Sequence, residues 1–283
     1  MSFSIEPMEM PECACLDTLP ARIFREPGIA LAASGSPACL RTLYFQAKRA
    51  GKLPYYFWTA PSARDYSLNR QGTAILETIK QAADTCGIRG VIFYASCLEV
   101  LTVWDFESEL KRIASGLGAP VRILYRGPLV KRLSSPAKDL EAILTDWAEL
   151  PARSGGLPLR APEDCAPPPK PDFELPLSRL AREDCDVLLF TPGGCKKCLA
   201  FDTSLSLPSS FRSSRFDDVF LGRGSMAGVC RKLLEAFPGS RPLYLLSTAV
   251  PYAAAMDLEG LAEELRRHGK QAACLPCSGF APA

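Results

Sequence analysis

Histidine is almost missing from this chain: one residue in 283. A Ser-His-Asp or Cys-His hydrolase would rest on His268 alone, and no G-x-S-x-G turn is present to supply its nucleophile. His268 lies in "EELRRHGKQ" and reads as a helix-end residue, capping or solvated. Charge of one sign is lacking too. With 33 basic and 31 acidic residues the net charge is +2, which leaves no electrostatic footprint for a phosphate backbone, so nucleic acid is not expected as a partner. No uninterrupted apolar run of about 18 residues occurs, so no membrane span is expected. The start, "MSFSIEPMEMPECACLDTLP", has acids and prolines where a signal peptide has a basic and then an apolar stretch, and the cytoplasm is the expected location. "GRGSMAG", residues 222–228, lacks the Walker lysine and the Rossmann spacing, and reads as a helix start packed on a sheet.

Cysteine, by contrast, is plentiful. Twelve thiols in a chain expected in a reducing compartment argue for metal binding or redox chemistry over a disulfide frame. Cys86 in "AADTCGI" and Cys230 in "MAGVCRKLLEAF" fall in helical patterns and read as small buried residues. The others call for an account of where the fold would place them.

Apolar runs alternate with amphipathic stretches along the chain. "GIALAASG", "GVIFYAS" and "PVRILYRG" read as buried strands, with helices in "PACLRTLYFQAKRAG", "GTAILETIKQAADTCG", "DFESELKRIASGLG" and "SPAKDLEAILTDWAEL". The pattern restarts with the strands "CDVLLFTPGG", "PLYLLST" and "QAACLPC" and the helices "SMAGVCRKLLEAF" and "DLEGLAEELRRHG". This predicts an α/β fold of two tandem Rossmann-like three-layer units, with mostly parallel sheets and a pseudo-two-fold relation. The expected division is a unit over 1–150, a Pro- and Gly-rich linker over 151–183, and a shorter unit over 184–283.

Arithmetic supports the duplication. An offset of 152 places Asp65 on Asp217, Gly72 on Gly224, Lys80 on Lys232, Asp105 on Asp257, Glu107 on Glu259 and Gly127 on Gly279. Asp105, Glu107, Asp257 and Glu259 fall at equivalent helix starts, where carboxylates complement the helix dipole. Cys39 and Cys195, each in a small-residue turn after a strand, differ instead by 156.

Ligands of open α/β sheets gather at the carboxyl ends of the strands. Cys39 stands just past one such end in "GSPAC" and Cys97 past another in "VIFYASC", so both thiols are expected to face one crevice. Helix N-termini there favour the thiolate form that binds metal. Two C-x-x-C pairs, Cys195/Cys198 in "CKKC" and Cys274/Cys277 in "CLPC", could meet on zinc or a separate cluster, or act singly as thiol redox couples. Lys196 and Lys197 would lower the neighbouring thiol pKa and suit an anionic cluster.

"GSPAC" followed 58 residues later by the cysteine of "YASC" in "VIFYASCLEVLTVWDFESEL" resembles the first domain of the nitrogenase component 1 type proteins, which include nitrogenase and dark-operative protochlorophyllide reductase. The second unit resembles the same domain more loosely, through "TPGGC", "CSGF", "DDVFLGRG" in the place of the family's acidic strand leading into a Gly-rich turn and helix, and "LSTAVPYAAAMDLEGLAEEL", with Ala249 where the family has a cysteine. The resemblance implies an iron-sulfur cluster, 4Fe-4S or larger, held by Cys15 or Cys13, then Cys39, then Cys97. A fourth ligand would be Cys195 from the other unit. Cys165, 30 residues before Cys195, would echo Cys15, and Cys198 completes the candidate metal set.

An iron-sulfur oxidoreductase is therefore the first expectation, with electrons arriving from an ATP-dependent iron-sulfur reductase. A second copy of the chain or a related component 1 subunit is the other implied partner. The alternatives are an assembly scaffold or accessory protein without catalysis, and a zinc-stabilised thiol protein. No catalytic residue is assigned.

Overall fold

A computed structural model describes residues 3–8, 18–125, 127, 129, 135–201 and 205–282. Among these, one unit holds residues 18–35 and 39–169, and the other holds 3–8, 36–38 and 170–282. They are called here the N-terminal and C-terminal repeats. Nine strands are present among the described residues: β1 (Phe3–Pro7), β2 (Ile29–Ser34), β3 (Tyr56–Thr59), β4 (Gly90–Ala95), β5 (Val121–Tyr125), β6 (Asp186–Phe190), β7 (Ser210–Phe216), β8 (Leu243–Ser247) and β9 (Ala272–Cys274).

The N-terminal sheet runs β3-β2-β4-β5 and is parallel throughout. Its central strand reads as an unbroken run of small and apolar residues, "IALAAS", because both faces are covered. Alternation then sorts those residues. Ile29, Leu31 and Ala33 face a core built from Ile23 and Phe24 of helix Leu19–Arg25, Leu40 and Leu43 of helix Pro37–Arg49, and Leu140 of helix Pro136–Asp146. Ala30 and Ala32 face Ile75 and Ile79 of helix Gln71–Ala83 and Phe106 of helix Phe106–Ile113. Three layers result.

The C-terminal sheet repeats this order as β7-β6-β8-β9, all parallel, and β1 adds an antiparallel edge strand on β7. The fold is therefore the expected mixed α/β class, with helices packed on largely parallel sheets. The duplication extends to backbone detail. Helices Cys97–Leu101 and Ala249–Ala253 lie 152 residues apart, and each is followed by a residue in the left-handed region, Val103 at φ 51 and Ala255 at φ 50. Asp105 and Asp257 then cap the next helix with the same geometry, ψ 77 and ψ 78, each accepting from the amide three residues on. Ser225 caps helix Met226–Ala236 by accepting from Gly228, the helix start read from "GRGSMAG", whereas "DDVFLGRG", likened to an acidic strand, forms helix Asp218–Arg223 because Asp217 accepts from the Phe220 amide and caps it.

The segment expected as a linker divides in the structure. Residues 151–169 are tied to the N-terminal repeat: Arg153 N–H donates to Ile88, Leu157 N–H to Asp84, and Leu157 bridges Thr85. Prolines in "CAPPPKP" have no N–H to offer, so this stretch presents carbonyls, and side chains supply the donors. Tyr44 donates to Cys165 O, Trp58 to Ala166 O and Arg41 to Pro168 O. From residue 170 the chain belongs to the C-terminal repeat and forms helix Glu174–Leu180. Among the described residues, no helix is long and apolar enough to cross a membrane.

Candidate functional site

β2 and β4 are hydrogen-bonded neighbours, paired from Ile29↔Gly90 to Ala33↔Tyr94, so their carboxyl ends are adjacent. Cys39 is the third residue of the helix that follows β2, and Cys97 the first residue of the helix that follows β4. Both thiols are partly exposed. Gly127, after β5, lies against Cys97: a Cβ at Gly127 would run into Cys97 Sγ, and the residue sits at φ +150, where side chains are rarely tolerated.

A buried polar cluster adjoins these thiols: Ser96 and Glu99 flank Cys97 in the chain, and Cys39 is close enough to Tyr66 to act on it. Glu99, 2% exposed, accepts at Oε1 from Ser34 Oγ (2.6 Å) and Tyr66 OH (2.7 Å). Its Oε2 accepts from Ser96 N–H (2.7 Å) and from Ser96 Oγ. Ser96 in turn caps helix Cys97–Leu101, so Ser96 and Glu99 form a reciprocal capping box. One carboxylate thereby joins the end of β2, the end of β4 and Tyr66 of helix Ala63–Ser67. Burial pushes the Tyr66 phenol well above its usual range, and the neighbouring Glu99 and Cys39 add to the rise. Tyr56 is raised well above its usual range by burial and then by Cys39. Both phenols stay protonated and act as donors, Tyr56 to Leu40 O.

The remaining candidate thiols have other surroundings. Cys13 and Cys15 lie outside the described residues. Cys165, read as the echo of Cys15 in the second unit, packs in the apolar core of the N-terminal repeat, donates from Sγ to Ala161 O and has its pKa raised by burial. Cys195 and Cys198 are buried in a short helical turn, Cys195–Phe201, where Cys198 Sγ donates to Cys195 O. Lys196 gives its ammonium to Glu6 (3.2 Å) and Ser213 (3.0 Å). Burial, with nearby carboxylates, pushes the Cys274 thiol up to about 11; burial, Asp172 and Cys274 push Cys277 up to about 12. Cys274 and Cys277 are thus protonated thiols, poorly suited to nucleophilic redox chemistry near neutral pH.

Cys86, expected as a small buried residue, is partly exposed and sits in the turn beyond helix Gln71–Ala83 and not inside it, its amide donating to Leu157. Cys230 is buried within helix Met226–Ala236, as expected. His268 follows helix Leu258–Arg267, half exposed and 3.4 Å from Glu264. Among the described residues, no three or more His, Cys, Asp or Glu side chains converge on a point that could hold a metal ion.

At the matching edge of the C-terminal repeat the cluster is missing. Thr248 stands for Ser96, Ala249 for Cys97, Pro251 for Glu99 and, through the strand register, Phe190 for Ser34. Ser34, Tyr66 and Glu99 escape a reading of the sequence alone, although the Ser96-x-x-Glu99 spacing after a strand is a legible capping-box signal.

Cys39 and Cys97 thus place two thiols of intermediate exposure at adjacent strand ends, and thiols are soft donors of the kind that iron-sulfur clusters take. Comparison with family models, with curated proteins and with solved structures finds no match for this chain.

Proposed function

We propose that the chain is an iron-sulfur protein of the nitrogenase component 1 type whose N-terminal repeat carries the cluster ligands. One observation supports this best. Cys39 and Cys97 stand partly exposed at the carboxyl ends of neighbouring parallel strands, where such folds bind ligands, and Ala249 takes the place of Cys97 in the duplicate. Cys39 and Cys97 would hold the cluster, with Cys15 or Cys13 adding a third thiolate. A bound cluster supplies reversible one-electron storage. Gly127 leaves room for the Cys97 sulfur.

An ATP-dependent iron-sulfur reductase is the proposed electron donor. A second copy of the chain, or a related component 1 subunit, is the other proposed partner. A reducing compartment, the cytoplasm, suits the large number of thiols.

Iron, acid-labile sulfide and zinc per chain, measured on anaerobically purified protein, test the reading. Several irons with matching sulfide, lost in Cys97→Ala, are expected. Zinc without sulfide would favour the zinc-stabilised reading. Protein free of both after anaerobic reconstitution would leave a scaffold.

A further inference from the structure

Buried carboxylates need compensation, and Glu99 has it from neutral donors alone. Among the described residues no cation pairs with it: its four hydrogen bonds come from Ser34, Tyr66 and both groups of Ser96. Such an arrangement is costly to build and costly to break, because a donor left behind in a dry site loses water without gaining a partner.

The fold does not require it. In the C-terminal repeat the same short helix, Ala249–Ala253, starts in the same place after β8, with Pro251 at the equivalent of Glu99 and Thr248 making no side-chain cap hydrogen bond. That helix start is held without a buried carboxylate. Of the two copies of this helix, the one that begins with a cysteine is the one that carries the extra polar structure.

We infer that Glu99 is a positioning residue: tied to Ser34, Tyr66 and Ser96, it locks the first turn of helix Cys97–Leu101 and so fixes where the Cys97 thiol stands relative to Cys39. The purpose rests on the proposed role of Cys97 as a ligand, whereas the positioning itself is a property of the chain. β2, β4 and helix Ala63–Ser67 all converge on the one carboxylate, so the thiol is referenced to the rigid sheet and not to the mobility of a five-residue helix.

The test is pulse labelling of the metal-free full chain with N-ethylmaleimide, read at Cys97 and Cys39 separately by peptide mass spectrometry. Glu99→Ala is expected to raise the Cys97 rate on the order of tenfold while Cys39 stays within about twofold of wild type. Glu99→Gln keeps an acceptor for Ser34 and Tyr66 and is expected to restore part of the protection. Tyr66→Phe, which removes one donor, gives a smaller rise and serves if Glu99→Ala fails to fold. Lys270→Met controls for general destabilisation and is expected to leave the Cys97-to-Cys39 ratio unchanged. An unchanged Cys97 rate, or Cys97 and Cys39 rates rising together in step with lost stability, would overturn the inference. Because labelling is done without metal, an iron-free wild type would defeat the cluster reading and leave this result standing.

Discussion

Glu99 and Asp186 are both buried carboxylates on parallel sheets, but they sit at opposite ends of the strands and are held in opposite ways. Asp186 opens β6 at its amino end and meets Lys270 (3.2 Å) and Ser210 (2.6 Å), with Arg241 more distant; Lys270 also donates to Phe237 O and Gly239 O. That is an ion pair at the amino end of the central strand of its sheet. Glu99 lies past the carboxyl end of β4, with neutral donors only, in the same short helix as a partly exposed cysteine. Register places Ala30 where Asp186 stands, and the repeat places Pro251 where Glu99 stands, so neither device is needed by the shared fold. The copies diverged by spending buried polarity differently, one on stability and the other on the geometry of a thiol.

The largest effect is expected from breaking the stabilising device. Lys270→Met should cost about 3–5 kcal/mol in urea unfolding, because the buried Asp186 loses its closest cation. The N-terminal edge chemistry should be untouched, which iron content or Cys97 labelling would report.

Next come the paired glycines. At Gly279 a Cβ would run into the backbone at Ala249 and Thr248, whereas at Gly127 it meets mainly the Cys97 sulfur. Gly279→Ala should therefore lower the melting temperature more than Gly127→Ala, both within roughly 1–3 kcal/mol. Only Gly127→Ala should disturb the proposed cluster. Equal loss of iron in the two variants would contradict the division of labour.

A pH effect of intermediate size belongs to the C-terminal repeat. Cys274 and Cys277 hold their protons up to about 11 and about 12 in the folded chain, whereas unfolded thiols titrate near 8.5. Between those limits the unfolded state binds fewer protons, so stability should fall as pH rises from about 8.5 through the folded values. Melting temperature followed from pH 8 to pH 11 checks the sign. Cys277→Ala should flatten that slope while lowering the melting temperature at neutral pH.

The smallest effects should be equal in the two repeats. Asp105→Ala and Asp257→Ala each remove one helix cap of the same geometry and should each cost about 1 kcal/mol. A marked inequality would mean that the structural likeness of the copies does not carry over to their energetics.

Much of this organisation was readable in the chain. β2, β4, β6 and β8 are continuous apolar runs because both faces are covered, and the 152-residue offset carried the duplication from Asp105 and Gly127 to Asp257 and Gly279. β3, "YFWT", is too short for a period to emerge, and β7, "SFRSSRF", alternates around serines and arginines that pair within its own repeat. β1 needs the edge of β7 to exist at all. The proline-rich stretch defied expectation because its partners, Arg41, Tyr44 and Trp58, are more than 100 residues away. Cys39 and Cys97 were visible as strand-end cysteines, but the buried carboxylate cluster adjoining them was not, since Ser34 and Tyr66 reach Glu99 only after β2 and β4 have paired.

The central claim, that the N-terminal repeat carries the chemistry and the C-terminal repeat is its structural copy, is tested most directly by iron per chain in two double variants. Cys39→Ala/Cys97→Ala and Cys195→Ala/Cys198→Ala would be reconstituted anaerobically beside wild type and assayed for iron and sulfide. The account predicts iron lost in the first and retained in the second. Iron retained in the first, or lost only in the second, would contradict it.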